Sequence, residues 1–354
     1  MTSTISRLGW DLRCLPADGS PGAGIPHAAR ELWSAFVPLA RAQGIEPVAF
    51  VSPGASLANA GTIIRLASTR TWALKRALYQ QHVSSLFCPS GAVPFGIQIP
   101  SFPWIHDLAI FEHPEWFPQS FLRRTLTTNL VKQGIRRASK VFTVSQETAQ
   151  MVVRHFRIDP SHIVVTGQGI ELPNLTGEIP PTLSKPYALV LGTVEPRKNI
   201  PFLIDLWPEI CHRIGKTIPL VIAGRDGWGI ELPTPLPEGV IRITDLSEPL
   251  RGALLKQAAV ILVPSYYEGF GRVAAEAILA GTPVIASNRG SLPEIVRESG
   301  ACLPLIRDRW LQTIIQILKT PKNDVFLAEQ AKRRSLDFSW DAVATRILAN
   351  LPVS

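Results

Sequence analysis

Short, unbroken apolar runs alternate with stretches of helical periodicity along this chain. Pro47–Val51, Ser85–Cys88, Phe102–Ile105, Lys140–Val144 and His162–Val165 in the first half carry no polar alternation. Tyr187–Leu191, Pro219–Ala223, Val240–Ile243, Ala259–Val263 and Pro283–Ala286 in the second half do the same. Such runs predict strands buried on both faces. Between them, Ala28–Leu39, Gln146–Phe156, Ile200–Arg213, Arg251–Gln257 and Arg272–Leu279 predict helices. Buried strands separated by helices predict parallel sheets covered on both sides, an α/β class. The pattern runs twice, on either side of a Pro-rich polar stretch at 171–186 that predicts a linker. Two doubly wound domains, 1–175 and 176–335, are therefore expected, followed by a C-terminal helix at 336–354. Domains so joined would face a cleft between the carboxyl ends of their strands, where open α/β sheets bind ligands.

Composition narrows the function. The 354 residues suit two domains, and 46% apolar with 18% charged residues excludes disorder. The 31 prolines are scattered and read as loop punctuation. A formal charge of +8 favours anionic partners: a nucleotide, a phosphate, nucleic acid or an acidic membrane surface. Cys14, Cys88, Cys211 and Cys302 are too far apart for a zinc site or a disulfide scaffold, which fits a reduced, cytoplasmic protein. Neither a secretory leader nor an apolar run of membrane-spanning length is apparent.

The richest segment is 263–276, VPSYYEGFGRVAAE. A strand ends near Val263, a loop with Gly269 and Gly271 follows, and a helix starts near Arg272. The glycines allow close backbone approach, and the N–H groups of a helix start bind anions. Glu268 and Glu276 would repel a phosphate, so each is expected to face sugar hydroxyls, for which a carboxylate is a bidentate acceptor. Three readings stand: a sugar-nucleotide site, a plain glycine-rich turn with surface glutamates, and a dinucleotide site. The last lacks the acidic residue expected after the next strand, which ends at Ala286-Ser287-Asn288. Arg197 and Lys198, between a strand and a helix, suit a diphosphate leaving group or form a solvated basic turn. Ser145 suits a helix N-cap. No DxD motif, metal-ligand cluster or P-loop signature occurs, so no metal and no other cofactor is expected.

These motifs together resemble the retaining GT-B glycosyltransferases of family 4. The resemblance rests on Tyr267-Glu-Gly-Phe-Gly271 with Glu276, on Ala280-Gly-Thr-Pro-Val-Ile-Ala286, and on Ser291-Leu-Pro-Glu294. Leu191-Gly-Thr-Val-Glu-Pro-Arg-Lys-Asn199, Val221-Ile-Ala-Gly224, Ile105-His-Asp-Leu108, His113-Pro-Glu-Trp-Phe-Pro118 and Phe338-Ser-Trp340 fit it too. Arg272-Val273, Ile278-Leu279 and Gln168-Gly169 depart from the usual pattern. The resemblance implies a GT-B fold of two Rossmann-like domains, the C-terminal helix returning to the first. It implies that Glu268, Arg197, Lys198 and His106 carry the chemistry, with His106 on the acceptor side. Glu276, Gly269, Phe270, Gly271, Arg272, Val273 and Gly224 would hold the nucleotide sugar, and the loop with Gly22 and Gly24 would approach its phosphates. Bacterial mannosyltransferases of this kind make GDP-mannose the first-choice donor. The implied acceptor is a glycan or a polyprenyl-diphosphate-linked sugar in cell-surface polysaccharide or lipopolysaccharide synthesis. A sugar-nucleotide epimerase and a silent scaffold of the same fold remain alternatives.

Charge is uneven. Residues 61–140 carry ten Lys or Arg against three acids. Gly61–His82 holds Arg65, Arg70, Lys75 and Arg76 with no acid, interleaved with Ile63, Leu66 and Trp72. This reads as a basic amphipathic helix, either lying peripherally on an anionic membrane or simply solvated. No motif or aromatic stacking pattern supports nucleic-acid binding.

Overall fold

The computed structural model describes residues 6–352 except 21, 23, 58–60 and 119–120, and the backbone alone over 121–124. The chain divides into two units. One comprises Met1–Phe111, Gln119–Gly169 and Phe338–Ser354; the other comprises Glu112–Pro118 and Ile170–Asp337.

The strands of the first unit are β1 (Arg7–Leu12), β2 (Glu46–Val51), β3 (Thr62–Arg65), β4 (Ser85–Cys88), β5 (Ser101–Ile105), β6 (Val141–Thr143) and β7 (Ile163–Val165). They form a parallel sheet in the order β3-β2-β1-β4-β5-β6-β7. Its helices are α1 (Ile25–Ala42), α2 (Thr71–Gln80), α3 (Ala109–Glu112), α4 (Phe121–Arg137) and α5 (Gln146–Phe156). β1 points Leu8, Trp10 and Leu12 into the core. The Trp10 ring lies 5.5 Å from Trp33 and 4.8 Å from Phe36, both on the buried stripe of α1, and 4.5 Å from Phe87 on β4. Burial of large aromatic rings dominates such a core. Ser145 caps α5, its Oγ accepting from Thr148 N at 3.0 Å.

Gly61–His82 is not one amphipathic helix. Its first part is β3, where Ile63 pairs with Ala49, and Leu66 is buried beside α2. Of the three apolar residues expected at the surface, only Trp72 is exposed. A β-branched run next to an apolar strand edge gains more by pairing than by helix formation.

The second unit has β8 (Ala188–Leu191), β9 (Leu220–Ala223), β10 (Val240–Ile243), β11 (Val260–Val263), β12 (Val284–Ser287) and β13 (Ala301–Leu303). They are parallel, in the order β10-β9-β8-β11-β12-β13. Covering them are α6 (Ile200–Ile214), α7 (Glu248–Gln257), α8 (Arg272–Leu279), α9 (Leu292–Val296), α10 (Arg307–Lys319) and α11 (Asp324–Ser335). β8, β9, β11 and β12 are buried along their whole length, as their unbroken apolar sequences require.

The last helix, α12 (Trp340–Leu348), belongs to the first unit, where it packs on α1. Arg346 donates to Thr166 O at 2.7 Å, and Lys140 to Asn350 O at 3.1 Å. Gly169 is needed there: a Cβ would sit 2.1 Å from the Trp340 ring. No helix among the described residues is long and apolar enough to cross a membrane.

Candidate active site

In the second unit the strand order reverses between β8 and β11, and ligands bind beyond the carboxyl ends of strands at such a point. Both candidate loops lie there. β8 is followed by Gly192 and a 3-10 turn at Pro196–Lys198; β11 is followed by Pro264–Gly271. Asn199, in the left-handed region that Asn tolerates, ends the first loop and donates to Pro264 O of the second at 3.2 Å. Tyr266 N donates to Arg197 O at 2.8 Å.

The centre of the site is Glu268, only 6% exposed. Its Oε1 accepts from Lys198 Nζ at 2.6 Å and from Ser265 Oγ at 2.8 Å; its Oε2 accepts from Arg197 Nη1 at 2.7 Å. Arg197 Nε is 2.6 Å from Glu195 Oε1. Burial alone would raise the Glu268 carboxyl, but the Lys198 and Arg197 charges outweigh it and bring it down to about 2. The Glu268 carbonyl is fixed as well, accepting from Ser291 N at 3.1 Å and Oγ at 3.0 Å.

Sequence reasoning placed the acids and the cations on separate ligand surfaces. The structure joins Glu268, Arg197 and Lys198 in one cluster, because a carboxylate this deeply buried requires opposite charge and hydrogen bonds. Beside it, Gly192, Ser265 and Val273 line a narrow cavity with Lys198 and Glu268.

Glu276 forms a second buried acidic centre, 1% exposed, on α8. Its Oε2 accepts from Arg251 of α7, and Arg272 Nη2 lies 3.8 Å from Oε1. Arg272 is held below its ordinary pKa by burial, which outweighs the opposing pull of Glu276. Phe270 is buried, and Gly271, at φ +88°, is the residue before α8. A Cβ on Gly271 would come 2.8 Å from Leu292 Cδ2. Gly269 is buried in the same loop. Gly224 has a packing explanation: its Cβ would run to 2.2 Å from Gly192 O, so glycine lets the ends of β8 and β9 approach.

The remaining candidates lie in the first unit. His106 follows β5, its ring 4.4 Å from Trp104 and its Nε2 2.8 Å from Pro89 O. A carbonyl only accepts, so Nε2 carries a proton. Gly22, at φ +72°, and Gly24, at φ +62°, shape the loop into α1.

Sequence reasoning missed Arg251 and Ser265 as partners of the two acids, and Glu195 as a partner of Arg197. It also missed an aromatic group beside Glu268. The Trp116 ring stacks on His113 at 3.9 Å and on Tyr266 at 6.3 Å, and Trp228 Nε1 donates to Trp116 O at 2.5 Å. Tyr266 is 49% exposed and Trp228 36%. Charge alternation in Glu195-Pro-Arg197-Lys198 was a usable signal; Arg251 and Trp228 sit in no motif.

Residues 177–334 match the family model for glycosyl transferases group 1. The chain is 29% identical over 262 residues to the O-antigen chain mannosyltransferase B of Escherichia coli, covering 69% of this chain and 68% of that one. It is 30% identical over 239 residues to a D-inositol 3-phosphate glycosyltransferase of Rhodococcus opacus, covering 61% and 54%. The chain thus spans between about half and two thirds of the length of these curated relatives. Its fold matches sucrose-phosphate synthase from Thermosynechococcus elongatus with a TM-score of 0.71 at 19% identity, over 97% of this chain and 98% of that one. Two parallel sheets, candidate loops at a strand reversal and these matches lead to one assignment: the whole chain has the GT-B fold, and its segment 177–334, which carries both loops, matches the group 1 glycosyl transferases.

Proposed function

We propose that the chain moves a hexose from a nucleotide sugar to an acceptor hydroxyl with retention at the anomeric carbon. The observation that carries this reading is the buried Glu268–Arg197–Lys198 cluster at the carboxyl ends of β8 and β11. As the bond from the sugar's C1 to the diphosphate breaks, the electron pair stays on the diphosphate oxygen. Lys198 and Arg197, held in place by Glu268, oppose that growing charge where a divalent metal otherwise would. The acceptor oxygen forms the new bond to C1 on the same face, and its proton passes to the departing diphosphate oxygen. No enzymic nucleophile and no metal are needed in this scheme. The Glu268 charge also favours positive character at the sugar.

Glu276 has the lone pairs to accept ribose hydroxyls while paired with its arginines. The backbone of Gly269, Phe270 and Gly271 takes the phosphates, and Val273 walls the pocket. His106 serves the acceptor side. The name of the Escherichia coli relative, an O-antigen chain mannosyltransferase, supports mannose as the sugar and a glycan chain of the cell surface as the acceptor. GDP-mannose as donor, a lipid-linked form of that acceptor and a place at the cytoplasmic side of the membrane complete the proposal.

A thermal-shift screen of GDP-, UDP-, ADP- and dTDP-sugars tests the reading. A ligand at 100 times its Kd stabilises by about 2.7 kcal/mol. GDP-mannose should give the largest shift, and nucleotide release should then require an acceptor. No shift with any donor refutes it. Release of free sugar and nucleotide without acceptor favours the epimerase-like alternative, and binding without turnover a silent scaffold.

A further inference from the structure

The first unit carries an outer face that the donor chemistry does not use. α2 buries Ala73, Leu74, Ala77 and Leu78, the last three in one core cluster with Val48, Phe50 and Leu86. That fixes what it turns outward: Trp72, Lys75, Arg76 and Tyr79, at the spacing of one helix face. Trp72 is 55% exposed and Tyr79 85%. Beside Lys75 lies the loop that holds Phe95, itself 66% exposed: a Cβ on Gly96 would be 2.5 Å from Lys75 Nζ. The exposed apolar surface continues along a groove lined by Phe95, Leu130 and Arg137.

Two aspects of this face point to one kind of partner. It is cationic without compensation: the sequence has no Asp or Glu between Glu46 and Asp107. Among the described residues no ion pair involves Arg70, Lys75 or Arg76. Its exposed apolar groups are chiefly aromatic. Trp and Tyr, with an apolar ring and a polar edge, settle at the level of lipid headgroups, and Lys and Arg beside them meet anionic phosphates. A nucleic acid would match the charge but would leave Phe95 and Leu130 in water.

We infer that the outer face of α2, with Phe95 and the groove to Leu130, docks on an anionic phospholipid bilayer. The contact is interfacial and reversible, with aromatic rings at headgroup depth and Lys75 and Arg76 among the phosphates. It stands on the first unit alone and does not rest on the donor reading.

Co-sedimentation of the full chain with vesicles of phosphatidylglycerol and phosphatidylcholine, against pure phosphatidylcholine, tests it. The wild type should bind the anionic vesicles at low salt and leave them at 1 M salt, where the screening length falls to about 3 Å. K75E/R76E should lose about 30-fold or more in affinity, the equivalent of about 1 kcal/mol per cation. W72A/Y79A/F95A should bind more weakly at every salt concentration yet keep the salt dependence. All these positions face solvent, and thermal melting and nucleotide-sugar binding should be unchanged in both variants, showing an intact fold. Equal binding to neutral and anionic vesicles, no binding to either, wild-type binding by K75E/R76E, or equal affinity for a short DNA duplex would each overturn the inference.

Discussion

Two groups of cations in this chain are used in opposite ways. In the second unit Arg197, Lys198, Arg251 and Arg272 stand against buried carboxylates. On α2 in the first unit Lys75 and Arg76 stand in water with no acid nearby in the sequence. A cation desolvated against a carboxylate is fixed in direction and distance, and its effect on a ligand is local and weakly screened. A hydrated cation on a mobile side chain contributes to a surface potential that falls off within about 10 Å at 0.1 M salt. The first arrangement suits a reaction in which charge develops at one oxygen; the second suits a partner whose charges are spread over a plane. Geometry should matter in one region and ionic strength in the other.

The largest expected effect lies in the buried cluster. Lys198→Ala and Arg197→Ala should each lower kcat by roughly 10²–10³-fold, by analogy with loss of one oxyanion donor. EDTA should leave wild-type activity largely intact. Activity that disappears in EDTA and returns with Mn²⁺ would show that the metal, not these cations, carries the diphosphate charge.

Next is the pH dependence of stability. The Glu268 pKa is about 2 in the folded chain, against about 4.3 for an unperturbed glutamate. A depressed carboxyl stabilises the fold above its unfolded pKa, and that stability is lost as pH falls through the unfolded value toward the folded one. The contribution is about 3 kcal/mol in all, roughly half of it gone by pH 3. Glu268→Gln should therefore cost most at neutral pH, and its deficit against wild type should shrink on acidification. A deficit that stays constant from pH 7 to pH 3 would contradict the ion cluster. K75E/R76E on α2 should show no comparable trend.

Glu276→Ala should weaken donor affinity by roughly ten- to 150-fold, the loss of one charged hydrogen-bond partner worth about 1.5–3 kcal/mol. The fold should persist, because the Arg251 and Arg272 side chains are 26% and 29% exposed and can turn to water. Unchanged nucleotide affinity by calorimetry would remove Glu276 from the ribose site.

The two regions also differ in how far they could be read beforehand. The strands and helices around the donor loops were legible because unbroken apolar runs such as Val260–Val263 have few alternatives to a doubly covered parallel strand. Glu268, Arg197 and Lys198 were legible as a set, but not as one ion cluster. Glu268 is 71 residues from Arg197 and 70 from Lys198 in sequence, and only the reversal between β8 and β11 joins them. Arg251 was hidden because its pairing with Glu276, 25 residues away, joins α7 to α8, which no local spacing reports. On α2 the composition was plain, yet the element was misread. Charge counts do not distinguish a helix from a strand and a helix in succession, and Leu66 is buried by a sheet edge that its neighbours do not announce. The aromatic group around Trp116 depends on residues 112–118 joining the second unit, which no local pattern reports.

The smallest effect separates the two uses of charge most cleanly. Exchanging Lys75 for Arg and Arg76 for Lys keeps the charge of the α2 face and changes only hydrogen-bond geometry. If those side chains act through surface potential, vesicle affinity should stay within about twofold at each salt concentration, because each cation near an anionic surface contributes about 1 kcal/mol whichever head group carries it. The same kind of exchange at Lys198 should not be tolerated. There the Lys198 side chain is only 15% exposed, with Nζ 2.6 Å from Glu268, and a planar guanidinium cannot occupy the space of an ammonium. Double-exchange protein binding vesicles like wild type, beside Lys198→Arg protein with impaired turnover and normal vesicle binding, is the expected pair of results. A tenfold loss of vesicle affinity in the double exchange would mean that α2 recognises a specific, shaped ligand, and the contrast between the two regions would fail.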